Sequence, residues 1–278
     1  MAPAITRHTP FTLHRSTWCL SPQGKVITLH AMGKPQEKIE TDKLRKKVGR
    51  AIEAYQLFGQ GDRLMVGLSG GIDSLVMLEI LSDRGKHLPF SFHLEAIHVY
   101  MEDMPDLSDR GYLKELGEKL DITLHLERRS THRPGRTHKS RCFSCSWNRR
   151  KAIFQKAADR GCNKVVFAHH MDDALTTLLM NMEFRGEMTS LSPKLSTFNG
   201  RFDLIRPMIL ASSEDINHYA ALSNLHSAER QCPWEEKNHR DTFQNLVQQI
   251  SQLHPQARIN LFNSMDRIFS EYLPEKPV

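Results

Sequence analysis

The sequence predicts an α/β protein: a doubly wound parallel sheet followed by a helical C-terminal part. Three observations predict it. From residue 38 onward, short apolar runs alternate with amphipathic stretches of ten or more residues, the spacing of parallel strands joined by crossover helices. The run "RLMVGL" (63–68) is nearly unbroken, as in a strand covered on both faces. Directly after it, "SGGIDS" (69–74) interrupts the apolar pattern at the first strand-to-helix junction, where sheets of this kind bind ligands.

The elements follow in order. A helix is expected around 40–58, with Leu44, Val48, Ile52 and Tyr55 on one stripe. After the strand 63–68 come a helix (73–84), the strand "HLEAIHV" (93–99), a helix (108–120) and the strand "ITLHLE" (122–127). A basic loop leads to a helix (144–160), the strand "KVVFA" (164–168), a helix (172–184) and a last strand in "FDLIRPM" (202–208). The domain organisation expected is an N-terminal extension of no assigned role (1–37), an α/β domain (38–211) and a helical segment (212–278). Met32 opens the polar lead-in to the first helix, so a translation start there is an expectation that the mass of the native protein checks.

Composition narrows the class. Hydrophobic residues make up 39% and charged residues 25% of 278, ordinary for a soluble globular chain. No apolar run approaches membrane-spanning length and no charged-then-apolar leader opens the chain, so no membrane role is expected. Five cysteines without such a leader point to reduced thiols and a cytoplasmic location. The formal charge is +6, but Arg128, Arg129, Arg133, Arg136, Lys139, Arg141, Arg149, Arg150 and Lys151 fall within 128–151, a stretch with no acid. The basicity is therefore local, either a solvated loop or a face for a polyanion.

Within "SGGIDS", Gly70 and Gly71 permit positive φ and close backbone approach, and the amides opening the next helix point outward at the positive end of its dipole. Ser69, Gly70, Gly71, Ile72, Asp73 and Ser74 thus read as a phosphate cradle. Position 72 is Ile, so this is not a Walker A loop, and the spacing is not a dinucleotide fingerprint. A carboxylate beside bound phosphate is repelled unless a cation lies between them. Mg²⁺ at Asp73 resolves that conflict; the plainer reading is a turn with Asp73 as helix cap.

Cys142 and Cys145 lie one helical turn apart at the start of the helix 144–160, where basic neighbours and a helix N-terminus are expected to lower thiol pKa values. Cys232 follows in the non-helical "RQCPWEE". Three cysteines are one short of a closed four-thiolate site, and a cluster held by three leaves one iron open for an exogenous sulfur. Structural zinc with a histidine as fourth ligand and a redox dithiol are the alternatives; Cys19 and Cys162 read as bland. "AHHMDD" (168–173) follows the fourth strand, where His169, His170, Asp172 and Asp173 are by composition a metal site or, more plainly, polar residues capping a helix.

These residues resemble a known family. "SGGIDS" is the signature of the PP-loop ATP pyrophosphatases, adenine nucleotide alpha hydrolase-like proteins that adenylate a substrate oxygen and release pyrophosphate. "KLRKKVGRAIEAY", "GDRLMVGLSGGIDSLVMLEIL", "CFSCSWNRRKAIFQKAADRG", "KVVFAHHMDDALTTLLMNMEFRGEMTSLSPKL" and "IRPM" resemble the tRNA 2-thiocytidine synthetases, from about residue 38 to 272.

The resemblance implies ATP, Mg²⁺ and a 4Fe–4S cluster as cofactors, with Cys142, Cys145 and Cys232 as cluster ligands and, with Asp73, the catalytic residues. It implies adenylation of the C2 oxygen of a tRNA cytidine, position 32, and its replacement by sulfur. Ser69–Ser74, His169, Asp172 and Asp173 would bind the nucleotide, Arg206 would steady phosphate or RNA, and Arg133, Arg136, Arg141, Arg149 and Arg150 would contact tRNA. Expected partners are tRNA, a cysteine desulfurase or other sulfur donor, iron–sulfur assembly proteins and a second copy of the chain. The family commonly carries a second Cys-x-x-Cys late in the chain, and here "CPWE" leaves Cys232 alone. A uridine thiolase, a cluster-free ligase with structural zinc and a non-catalytic nucleotide binder remain as alternatives.

Overall fold

The computed structural model describes residues 35–105, 108–132, 141–228, 232 and 239–274, with side chains from residue 41. Residues 1–35 and 36–278 form separate units, and apart from Pro35 everything below belongs to the second.

Helix α1 (Pro35–Ala54) starts and ends earlier than the apolar stripe suggests. Proline suits its first position, and the left-handed Gln56 follows its end. Strand β1 (Arg63–Gly67) leads through the "SGGIDS" turn into α2 (Ile72–Gly85), then β2 (His93–Met101), α3 (Arg110–Lys119) and β3 (Thr123–Arg129). Helix α4 (Arg141–Asp159) returns the chain to β4 (Lys164–Val166), followed by α5 (Met171–Arg185). The strands β5 (Lys194–Thr197) and β6 (Phe202–Ile205) form a hairpin, after which come α6 (Ser213–Leu222), α7 (His239–Leu253) and α8 (Ala257–Asn263).

The sheet order is β3-β2-β1-β4-β6-β5. The first five strands in that order are parallel, with Val66 of β1 beside Ala96 of β2 and Val166 of β4. The expected doubly wound parallel sheet is present, and the edge strand β5, which was not expected, runs antiparallel to β6. Its four residues are mixed in polarity, and pairing with β6 rather than any apolar period makes them a strand. Among the described residues no helix is long and apolar enough to cross a membrane.

The apolar run of β1 is explained by its two neighbours. Leu64 and Val66 pack into a core with α1, α2, α3 and α6, while Met65 faces the opposite core with Ile97, Val99 and Ile153 of α4. A third, smaller cluster joins Met171 and Leu175 of α5 to Val247 of α7. After β1 the chain builds outward through β2 and β3, and α4 then carries it back past β1 to β4. The strand order therefore reverses between β1 and β4, which opens a crevice at their carboxyl ends.

Candidate active site

The turn after β1 is a closed hydrogen-bonded ring. Ser74 Oγ donates to Gly71 O at 2.8 Å and accepts from Ser69 N at 3.2 Å, and Gly71 N donates to Ser69 Oγ at 3.2 Å. Gly70 takes φ +79°, which a side chain would resist. The N-cap of α2 is Gly71, without a side-chain cap, so the first helical amides stay outward and Asp73 lies in the first turn rather than capping it. Ser74 is buried and holds the turn together. His98 Nδ1 donates to Leu68 O at 2.8 Å, fixing the end of the strand that carries the turn.

The segment after β4 approaches the turn from the neighbouring strand. Arg206, just past β6, donates from Nε to His169 Nδ1 at 3.4 Å and from Nη1 to Ser192 O. Burial pushes His169 down to about 4, opposed by Asp173 and reinforced by Arg206, so the imidazole is neutral near pH 7. The same burial lowers Arg206 to about 10, and it remains a cation.

Asp172 and Asp173 serve the scaffold around this point. Asp172 Oδ2 accepts from Ser213 N at 2.7 Å, and its Oδ1 lies 2.7 Å from Arg258 Nε, joining α5 to α6 and α8. Asp173 accepts from His170 N at 3.1 Å in a capping box and pairs with Arg240. Burial acts to raise the Asp173 pKa, but His170 and Arg240 hold it below the usual carboxylate range. Neither carboxylate lines the cavity described next.

That cavity, about 680 Å³, lies between α4 and the β1–β4–β6–β5 side of the sheet. Ser69 and His169 reach it from the strand ends, Cys142, Cys145, Arg141, Arg149 and Arg150 from α4, and Cys232 from the chain before α7. Arg206 and Arg240 complete a cationic lining. Arg133 and Arg136 lie outside the described residues. Phe154, Phe167, Phe198 and Arg240 also line the cavity and were not singled out from the sequence. For Phe154 a signal existed: it continues the helical stripe of Cys142, Cys145 and Arg149/Arg150.

The donor set fits a soft metal centre: the thiols of Cys142, Cys145 and Cys232, none of them in a disulfide, line one cavity. Among the described residues, no three His, Cys, Asp or Glu side chains already converge as a metal-holding group. The expected lowering of thiol pKa is reversed at Cys145. Burial raises it, Arg149 acts the other way, and the proximity of Cys232 and Cys142 raises it further. Desolvation of a thiolate outweighs the basic neighbour there.

A rigid glycine turn at a switch point, outward helix amides and a cationic cavity define a nucleotide-binding α/β protein of the PP-loop class, and the PP-loop domain pattern matches residues 41–249. The chain is 31% identical over 241 residues to the tRNA-cytidine(32) 2-sulfurtransferase of Syntrophotalea carbinolica, covering 83% of this chain and 91% of that protein. The protein of the same name from Bordetella petrii is 32% identical over 254 residues, covering 87% and 77%. The chain belongs to the tRNA-cytidine(32) 2-sulfurtransferase family of PP-loop proteins. Its fold is also that of the U34-tRNA thiolase of Methanococcus maripaludis, solved with its 4Fe–4S cluster, at TM-score 0.68 and 18% identity over 86% of this chain and 81% of that one.

Proposed function

We propose that this chain is an ATP-dependent tRNA thiolase that replaces the C2 oxygen of a cytidine, position 32, with sulfur. The observation that carries the reading is the shared cavity: Ser69, which opens the turn 69–74, and three cysteines line the same space, in a chain of this family.

The turn 69–74 receives the β- and γ-phosphates on backbone amides; Asp73 would hold Mg²⁺, which would neutralise phosphate charge. The base oxygen attacks the α-phosphorus, an O–P bond forms and pyrophosphate leaves. The C2 oxygen has then become part of AMP, a good leaving group. A sulfur nucleophile attacks C2, the C–O bond breaks and AMP departs. Arg206, charged and buried beside neutral His169 on the cavity wall, would stabilise the negative charge that gathers on the phosphoryl group. His169, its Nδ1 accepting from Arg206, carries its proton on Nε2. Cys142, Cys145 and Cys232 would hold a 4Fe–4S cluster, which supplies a site that binds and presents sulfide. Arg141, Arg149 and Arg150 draw the RNA backbone toward them.

The test is made on protein reconstituted anaerobically with iron and sulfide. Wild type should be brown, bind four irons and release AMP and pyrophosphate from ATP. Changing Cys142, Cys145 or Cys232 singly to Ala should lose the irons, while Cys162→Ala should keep them. Tight binding of one zinc with activity in the absence of iron would favour a zinc-supported enzyme, and ADP as product would contradict the PP-loop chemistry.

A further inference from the structure

The cavity changes character along its length. Its wall on the α4 side is one stripe of that helix, running from Cys142 and Cys145 through Arg149 and Arg150 to Phe154. At about 1.5 Å rise per residue this stripe extends about 18 Å, several times the roughly 3.4 Å step of a stacked strand. Along α4, Arg141 and the thiols stand at one end, Arg149 and Arg150 in the middle and Phe154 at the other, where Phe198 joins it. A target base at the cysteine end leaves the aromatic end unexplained.

Phe198 dominates that end. It sits at the tip of the β5–β6 hairpin with φ 52°, followed by Asn199 at 56° and Gly200 at 84°. A left-handed backbone suits Asn and Gly, whereas a bulky aromatic there is an outlier that costs about 1–3 kcal/mol. Burial does not explain the cost, because Phe198 is 63% exposed. The Phe154 ring holds it at 4.9 Å and a 58° tilt, and Phe202 at 5.9 Å and 85°, leaving more than half its surface open. An exposed ring fixed against local preference, beyond two cavity arginines, is what an unstacked nucleobase stacks upon.

The ring also stands apart from the phosphate turn. The phosphate turn follows β1, and β5 lies three strand positions away, about 14 Å at the usual spacing. The hairpin tip also lies at the opposite end of β6 from Arg206.

We propose that Phe198 is the platform of a second base site. An unstacked base of the tRNA close to the target cytidine stacks on it, while the intervening backbone phosphates lie on Arg149 and Arg150. The proposal rests on the tRNA reading above.

The test measures equilibrium binding of an unmodified tRNA transcript to cluster-loaded protein. Phe198→Asn keeps a residue that tolerates the left-handed backbone and removes the ring, and Phe198→Leu keeps apolar bulk without a π face. Both should weaken tRNA binding roughly tenfold, within the usual range for one stacked base. Phe198→Trp should bind at least as tightly as wild type. The salt dependence should not change, since no phosphate contact is removed, and neither should the KM for ATP in pyrophosphate release. If the Asn variant binds tRNA as tightly as wild type, or Leu serves as well as Phe, the second base site is overturned while the tRNA reading stands. A raised KM for ATP with unchanged tRNA binding would also overturn it, assigning the ring to adenine. Wild-type protein that does not bind tRNA would overturn the tRNA reading, and this site with it.

Discussion

Glu95 on β2 is fully buried, yet Arg160 Nε lies 2.8 Å from its carboxylate, His125 Nε2 2.6 Å, His93 Nε2 2.9 Å and Arg63 Nη2 3.5 Å. Burial alone would raise its pKa, but the bonds from Arg160, His125 and His93 win and hold it at about 2, against 4.5 for a free carboxyl. At about 1.36 kcal/mol per pKa unit that difference is about 3 kcal/mol. Arg160, His93 and Arg63 are each nearly half exposed, so solvent screening reduces it to about 2 kcal/mol. A folded-state pKa below the unfolded value means the stabilisation is complete above 4.5 and is lost as pH falls toward 2. Glu95→Gln, which keeps shape and removes charge, should therefore destabilise the fold by about 2 kcal/mol near neutrality. Urea unfolding followed by circular dichroism at several pH values would measure the gap between wild type and variant. It should hold steady from neutral pH down to about 5 and narrow below 4.5. A gap that stays constant into acid, or a variant as stable as wild type at neutral pH, would refute the electrostatic account. Because Arg160 ties the end of α4 to β2, far along the helix from the cysteines, turnover per folded molecule should be unchanged.

Other perturbations probe the site. A Cβ at Gly67 would lie 2.8 and 3.0 Å from Phe167 ring atoms and 3.2 Å from Ile153 Cδ1. Gly67→Ala should thus push the Phe167 ring into the cavity, cost about 1–3 kcal/mol in thermal unfolding and raise the KM for ATP; no change in either would contradict the packing. Asp73→Asn should abolish pyrophosphate release while leaving the circular dichroism spectrum unchanged, and residual turnover near wild type would remove the metal role from Asp73. Asp172→Ala should destabilise the junction of α5, α6 and α8 by about 1–3 kcal/mol, seen as faster amide exchange around Ser213, with turnover preserved in the folded fraction. A stable but inactive variant would return Asp172 to the nucleotide site.

What the sequence disclosed was whatever local pattern determines. The apolar run of β1, broken by "SGGIDS", marked both a strand buried on two faces and the turn that ends it, and the stripe Leu44, Val48 and Ile52 marked the buried side of α1. The strand β5 escaped notice because "KLST" has Leu195 exposed and owes its conformation to β6. Phe198 was equally hidden: neither its left-handed backbone nor the cavity beyond it follows from neighbouring residues. "HHMDD" was visible as polar chemistry at a strand end. That its aspartates are engaged by Ser213, Arg258 and Arg240 depends on partners brought together only by the fold. The thiol of Cys145 reads as acidified from its arginine neighbours, and the opposite direction emerges once its burial is known.

The central claim is best tested on the nucleosides themselves. Anaerobically reconstituted protein, unmodified tRNA, ATP, Mg²⁺ and sulfide are incubated, the tRNA is digested, and its nucleosides are analysed by liquid chromatography and mass spectrometry. The account predicts 2-thiocytidine at position 32, formed in step with AMP and pyrophosphate and absent when ATP is withheld or Asp73 is changed to Asn. Sulfur found on a uridine instead, or tRNA left unthiolated by protein that carries its cluster and cleaves ATP, would contradict it.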